Sequence, residues 1–160
     1  MLLLAVASSL AGCLFEAPVD PTQEALDDNL IGAWRCLPSN PELDDETATF
    51  IVAEARDRVY SVSIEVEGEA PDRYEAHRSR IGDASYLNVR DLATNAPDKP
   101  WTLARYSYLL PDVLQVQLVE DDRLKPADLS PAALRQAIED GRADEFFGDY
   151  CVCVRAQGVP

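Results

Sequence analysis

Cysteines at positions 13, 36, 151 and 153 are the side chains in this chain whose type and spacing could do chemistry. Cys151-x-Cys153, taken with Cys36, could offer three thiolates to a soft metal ion. Such a centre wants a fourth Cys or a nearby His, and neither is evident. One disulfide plus one buried free thiol is therefore the expected arrangement of these three. A direct Cys151 to Cys153 bridge would close a very small ring against extended backbone geometry, so it is discounted. Which of the two joins Cys36 stays open at this point. His77 is the only histidine, so a Ser-His-Asp or Cys-His nucleophile would have to use it. It lies in Arg73-Tyr74-Glu75-Ala76-His77-Arg78-Ser79-Arg80, whose arginines read as a solvated or salt-bridged strand face with the histidine exposed. Asp44-Asp45-Glu46, Asp121-Asp122 and Glu139-Asp140 read as solvated charge. A calcium loop over Gln136 to Phe147 fails, because Ile138 falls at a ligand position and Phe147 where the closing Glu belongs. No catalytic residue, cofactor or metal is assigned, and the chain does not read as an enzyme.

The elements that must position these cysteines are short strands. Leu30 to Leu37 is the first, ended by Pro38-Ser39-Asn40-Pro41, and Thr47 to Ala53 and Arg58 to Val66 follow. The third alternates Tyr60, Val62, Ile64 and Val66 against Val59, Ser61, Ser63 and Glu65, the period of a half-buried strand. Tyr74 to Ile81 and Tyr86 to Leu92 flank Gly82-Asp83 as a hairpin, and Trp101 to Leu110 and Val113 to Val119 flank Pro111-Asp112. A helix then interrupts the pattern. Ser130 suits its N-cap, Pro131 its first position and Gly141 its left-handed end, with Leu134, Ala137 and Ile138 as a narrow apolar stripe. Tyr150 to Ala156 is the last strand. Seven strands, a helix and one more strand predict a sandwich or an up-and-down barrel.

Leu10-Ala11-Gly12-Cys13, closing an uncharged apolar run from Leu2, resembles the lipobox of bacterial lipoproteins. The run is too short to span a bilayer but has the length of a signal-peptide apolar region, although no Lys or Arg precedes it. The resemblance implies that residues 1–12 are a signal peptide, that Cys13 carries fatty acyl (palmitate-class) chains, and that residues 13–28 form a lipidated tether. Pro18 and Pro21 would stiffen that tether, Glu16 and Asp20 would solvate it, and only Phe15, Val19 and Leu26 could bury much. Residues 29–160 remain as one domain. The implied location is the cell envelope, on the outer membrane facing the periplasm, since Leu14 stands where an inner-membrane retention Asp would.

Within that domain, Leu30-Ile31-Gly32-Ala33-Trp34 resembles the Gly-x-Trp element that lipocalins carry on the first strand of an eight-stranded barrel. Lipocalins also set a late Arg against that Trp, and Arg155 is the matching residue. The order differs in one place, because the helix here precedes the last strand. The fold expected is thus an eight-stranded antiparallel, lipocalin-like barrel with one helix before the last strand. If the first and last strands close it, one register sets Trp34 opposite Arg155 and Cys36 opposite Cys153, both pairs of numbers having the same sum. The oxidising compartment that the lipobox implies favours a disulfide there.

Formal net charge is −15, and none of it lies in residues 1–12. Acidity of this size argues against nucleic acid, whose phosphates need clustered Lys and Arg. Two functions follow as expectations. In the first, a membrane-anchored barrel holds an apolar small molecule or lipid, as the resemblance implies. In the second, acidic loops contact a basic protein partner, as an inhibitor or envelope assembly factor would. A filled core of Trp34, Tyr60, Val62, Ile64, Leu87, Val89, Leu114, Val116 and Leu118 would favour the second, and an interior cavity the first.

Overall fold

A computed structural model describes residues 14–39, 47–93 and 98–157. Cys13 and the apolar run before it lie outside the described residues. The strands are β1 (Gly32–Pro38), β2 (Ala48–Arg56), β3 (Val59–Glu65), β4 (Asp72–Ile81), β5 (Ala84–Asp91), β6 (Trp101–Leu110), β7 (Val113–Val119) and β8 (Phe147–Arg155). They form a closed antiparallel barrel in chain order, with β8 returning to pair with β1. One α-helix, α1 (Pro131–Ala137), precedes β8. The expected architecture is the one observed.

Register decides which side chains face inward, because alternate residues of a strand point to opposite faces. Trp34 pairs with Phe50, Phe50 with Ile64, and Val52 with Val62. Tyr60 pairs with Ala76, Val89 with Thr102, Tyr106 with Val116, and Leu114 with Cys153. This one set closes on itself around the barrel and forms the inner core with Leu30. The β2–β3, β4–β5 and β6–β7 turns gather at one end, beneath which a 3₁₀ turn at Asp28–Leu30 lies across the barrel. The ends of β1, β3, β5 and β7 mark the opposite end of the barrel, termed the mouth, from which the longer β7–β8 connection leaves.

A second core lies outside the barrel. Leu134, Ala137 and Ile138, the stripe expected of the helix, pack with Phe15, Val19 and Phe146 on outward-facing Ile81, Tyr86 and Leu103. The Ser130 hydroxyl caps α1 by accepting the Ala133 N–H at 3.1 Å. The helical run then widens through Ile138–Arg142, where Gly141 takes φ +86°, the left-handed conformation glycine adopts without a Cβ penalty. The stretch expected as a tether is, from Leu14 onward, packed on the wall. Two buried apolar side chains and a run of polar contacts hold it there.

Candidate functional site

The seam that closes the barrel brings four of the expected residues together. Trp34 pairs with Arg155 and Cys36 with Cys153 across β1 and β8, and the two cysteines form a disulfide with Cα atoms 4.0 Å apart. Cys36 and Cys153 are therefore not metal ligands. The Arg155 guanidinium lies 4.3 Å from the Trp34 ring centroid and donates to the Ile31 and Asn29 carbonyls and to Asp112. Trp34 Nε1 donates to the Leu30 carbonyl at 2.9 Å, so the indole is both packed and hydrogen-bonded. Gly32 is required here. Its φ is +136°, and a Cβ would meet Arg155 Nη1 at 2.8 Å.

Above this seam the closed end has a polar floor that the sequence reading did not identify as a unit. Asp27, leading into the 3₁₀ turn, accepts hydrogen bonds through Oδ2 from Tyr106 at 3.2 Å and Tyr108 at 2.9 Å. Its N–H donates to the Tyr60 hydroxyl at 2.6 Å. Burial pushes both the Tyr106 and Tyr108 phenols well above their ordinary value of 10.0, and the Asp27 carboxylate adds to it. Their raised folded-state values have a definite sign. Below pH 10 both phenols are protonated whether the chain is folded or not. Above it the unfolded chain releases protons that the folded chain retains, so stability falls as pH rises. Melting temperature measured from about pH 8 to about pH 11.5 should drop along the alkaline limb. Tyr108→Phe, which removes one of these groups, should flatten that limb, and an unchanged slope would contradict the burial argument.

Burial varies along the inner wall. Trp34, Tyr60, Leu114 and Cys153 are buried, whereas Phe50, Val62, Ile64, Leu87, Val89, Val116 and Leu118 point into the same barrel yet remain partly exposed. Of the nine core residues expected from sequence, Trp34, Tyr60 and Leu114 are buried and the other six are partly buried, while inward-facing Tyr74, near the mouth end of β4, is buried as well. Cys151 is the free cysteine among the described residues, and it faces inward between Pro38 and Val116. Burial pushes its thiol up, so it stays protonated at neutral pH. Thr102 also faces inward; its residue is 5 % exposed, and its hydroxyl has no hydrogen-bond partner among the described residues. A separate cleft of about 460 Å³ opens beside the β4–β5 turn, lined by Asp27, Asp83, Ser85, Tyr106, Tyr108 and Gln115 among others. Its lining is mixed, with polar side chains beside Ala84 and the tyrosine rings.

His77 is not the exposed strand histidine expected. It is 4 % exposed on the outer face, with Nε2 2.7 Å from the Asp20 carbonyl, which requires a proton on that nitrogen. The Asp20 N–H donates to Asn88 Oδ1 at 3.0 Å, Asn88 Nδ2 to Ser79 Oγ at 3.0 Å, and Ser79 Oγ to the Thr22 carbonyl at 2.7 Å. These groups latch residues 20–22 onto β4 and β5. Asp20, expected to solvate a tether, is 2 % exposed within this latch, and Arg135 of α1 lies 3.8 Å from its carboxylate. Alternation placed Tyr106 and Tyr108 on one face, which was a usable signal. Nothing local marked Asp27 as their long-range acceptor, or Asp20 as the partner of His77, Ser79 and Asn88.

Comparison with protein-family models, with curated proteins and with solved structures finds no match. What the barrel can do is argued from its own geometry.

Proposed function

We propose that this protein is a lipid-anchored envelope lipoprotein whose barrel takes up a small apolar or amphipathic molecule through its mouth. The observation that carries the reading is the division of the inner wall. Aromatic and polar groups line the closed end, while inward-facing Phe50, Val62, Ile64, Val89, Val116 and Leu118 are only partly buried. Apolar surface that a ligand removes from water contributes about 25 cal/mol per Å². The alternative, an acidic surface for a basic protein, has the charge of −15 in its favour. It has less support from the interior, because six of the nine core residues expected from sequence are only partly buried.

Anchoring rests on the Leu10 to Cys13 motif. Several acyl chains at about 0.8 kcal/mol per buried CH₂ would hold the chain durably on a membrane. Mass spectrometry tests both parts on one preparation. Detergent-extracted protein should show acyl mass on Cys13 under denaturing conditions and a co-purifying small molecule under native ones. Cys13→Ser should lose the acyl mass and leave the membrane fraction. A wild type without acyl mass would remove the lipoprotein reading, and a barrel recovered without any added mass would count against the carrier reading.

A further inference from the structure

Leu14 and Phe15 both donate their backbone N–H to the Trp101 carbonyl, at 2.8 and 3.0 Å, and the Trp101 N–H returns a bond to the Phe15 carbonyl at 3.1 Å. The Phe15 side chain is 1 % exposed in the outer core. The chain is thus fastened to the barrel one residue after Cys13, and the place of fastening is the first residue of β6, at the rim of the mouth. From there residues 20–24 descend the outer wall past Asn88, Ser79 and the Arg78 carbonyl to Asp27 at the closed end. Consecutive Cα atoms lie about 3.8 Å apart, so acyl chains on Cys13 would leave the protein at the mouth rim with no spacer. The closed end is the length of β6 away, 10 residues. At about 3.3 Å per residue, shortened by the usual strand tilt of about 40°, that is on the order of 25 Å.

We propose that the mouth rim is a membrane-docking surface, so that the barrel opens toward the bilayer that holds the anchor and its closed end points away. This rests on lipidation of Cys13. The occupant is a zwitterionic headgroup layer. Glu67, Glu69 and Asp72 before β4 and Asp121 and Asp122 after β7 are exposed at this end. They would repel anionic headgroups over a Debye length of about 8 Å at physiological salt. A mouth turned to the bilayer would give an apolar molecule a short path between lipid and the partly buried residues of the inner wall. Leu92, 44 % exposed just past β5, lies at that end, and Leu110, 63 % exposed at the end of β6, lies at the other.

These two leucines make the test. Leu92→Cys and Leu110→Cys, each combined with Cys151→Ser and each labelled with a fluorophore, are placed as lipidated full chains in phosphatidylcholine vesicles whose headgroups carry a nitroxide. Both sites are exposed, so neither change threatens folding. Most of the emission at position 92 should be quenched, and that at 110 retained. Acylated protein, verified by mass, with equal quenching at the two positions or stronger quenching at 110 would overturn the docking geometry and leave the lipoprotein reading standing. Protein without acyl mass would overturn both.

Discussion

Cys36→Ser and Cys153→Ser should each lower stability by roughly 4 to 5 kcal/mol, while Cys151→Ser should change it little. The bridge joins residues 117 apart in sequence. By the chain-entropy argument a loop of that length restricts the unfolded chain strongly, and the restriction vanishes when either sulfur is lost. For a domain of this size the change corresponds to a fall in melting temperature of about 10 to 20 °C. The variants should still fold, because the β1–β8 ladder and the Arg155–Trp34 contact also close the barrel. Calorimetry with non-reducing peptide mapping checks this. Equal melting temperatures for Cys36→Ser and Cys151→Ser would contradict a bridge between Cys36 and Cys153.

Trp34→Ala should cost about 3 to 5 kcal/mol. The side chain is fully buried at the centre of the inner core, and its removal leaves a cavity between Leu30, Tyr108 and the disulfide that the rigid ladder cannot collapse to fill. It also leaves the Leu30 carbonyl without the indole N–H. Part of the cost belongs to Arg155, whose guanidinium loses the ring it covers, a contact worth about 0.5 to 2 kcal/mol. A urea-denaturation cycle with Arg155→Ala separates that part. The double variant should be less destabilised than the two single changes added together, and strict additivity would contradict the stacked pair.

The barrel was legible because its signals are local and repeat. Tyr60, Val62 and Ile64 alternate, Gly82-Asp83 and Pro111-Asp112 mark hairpins, and Ser130 with Pro131 opens the helix. Closure was legible for a different reason. Trp34 and Cys36, and likewise Cys153 and Arg155, are two residues apart, so a single register satisfied both pairs. Strand ends were less clear. β2 runs on to Arg56 through a bulge after Glu54, and β8 starts at Phe147 because a bulge near Gln117 lets it pair with Val119.

What stayed hidden was polar and distant. Asp20, Asp27 and His77 look like solvated residues in sequence, because a polar side chain is buried only where partners compensate for lost water. Their partners are 33 to 81 residues away. Asp27 is held by tyrosines from β3 and β6, and Asp20 by groups on β4 and β5. Only the closed barrel brings them together. The same holds for the upper inner wall: period two identifies Val89 and Val116 as inward-facing but says nothing about whether the facing strands fill the space between them.

The carrier reading is tested most directly by titrating the folded protein with N-phenyl-1-naphthylamine, an uncharged apolar fluorophore that the net charge of −15 does not repel. Wild type should bind it saturably at one site per chain. Val116→Trp, which fills the upper barrel with an inward-facing indole, should abolish that binding without loss of the folded state by circular dichroism. No saturable site in the wild type, or a site that Val116→Trp leaves unchanged, would contradict ligand binding inside the barrel.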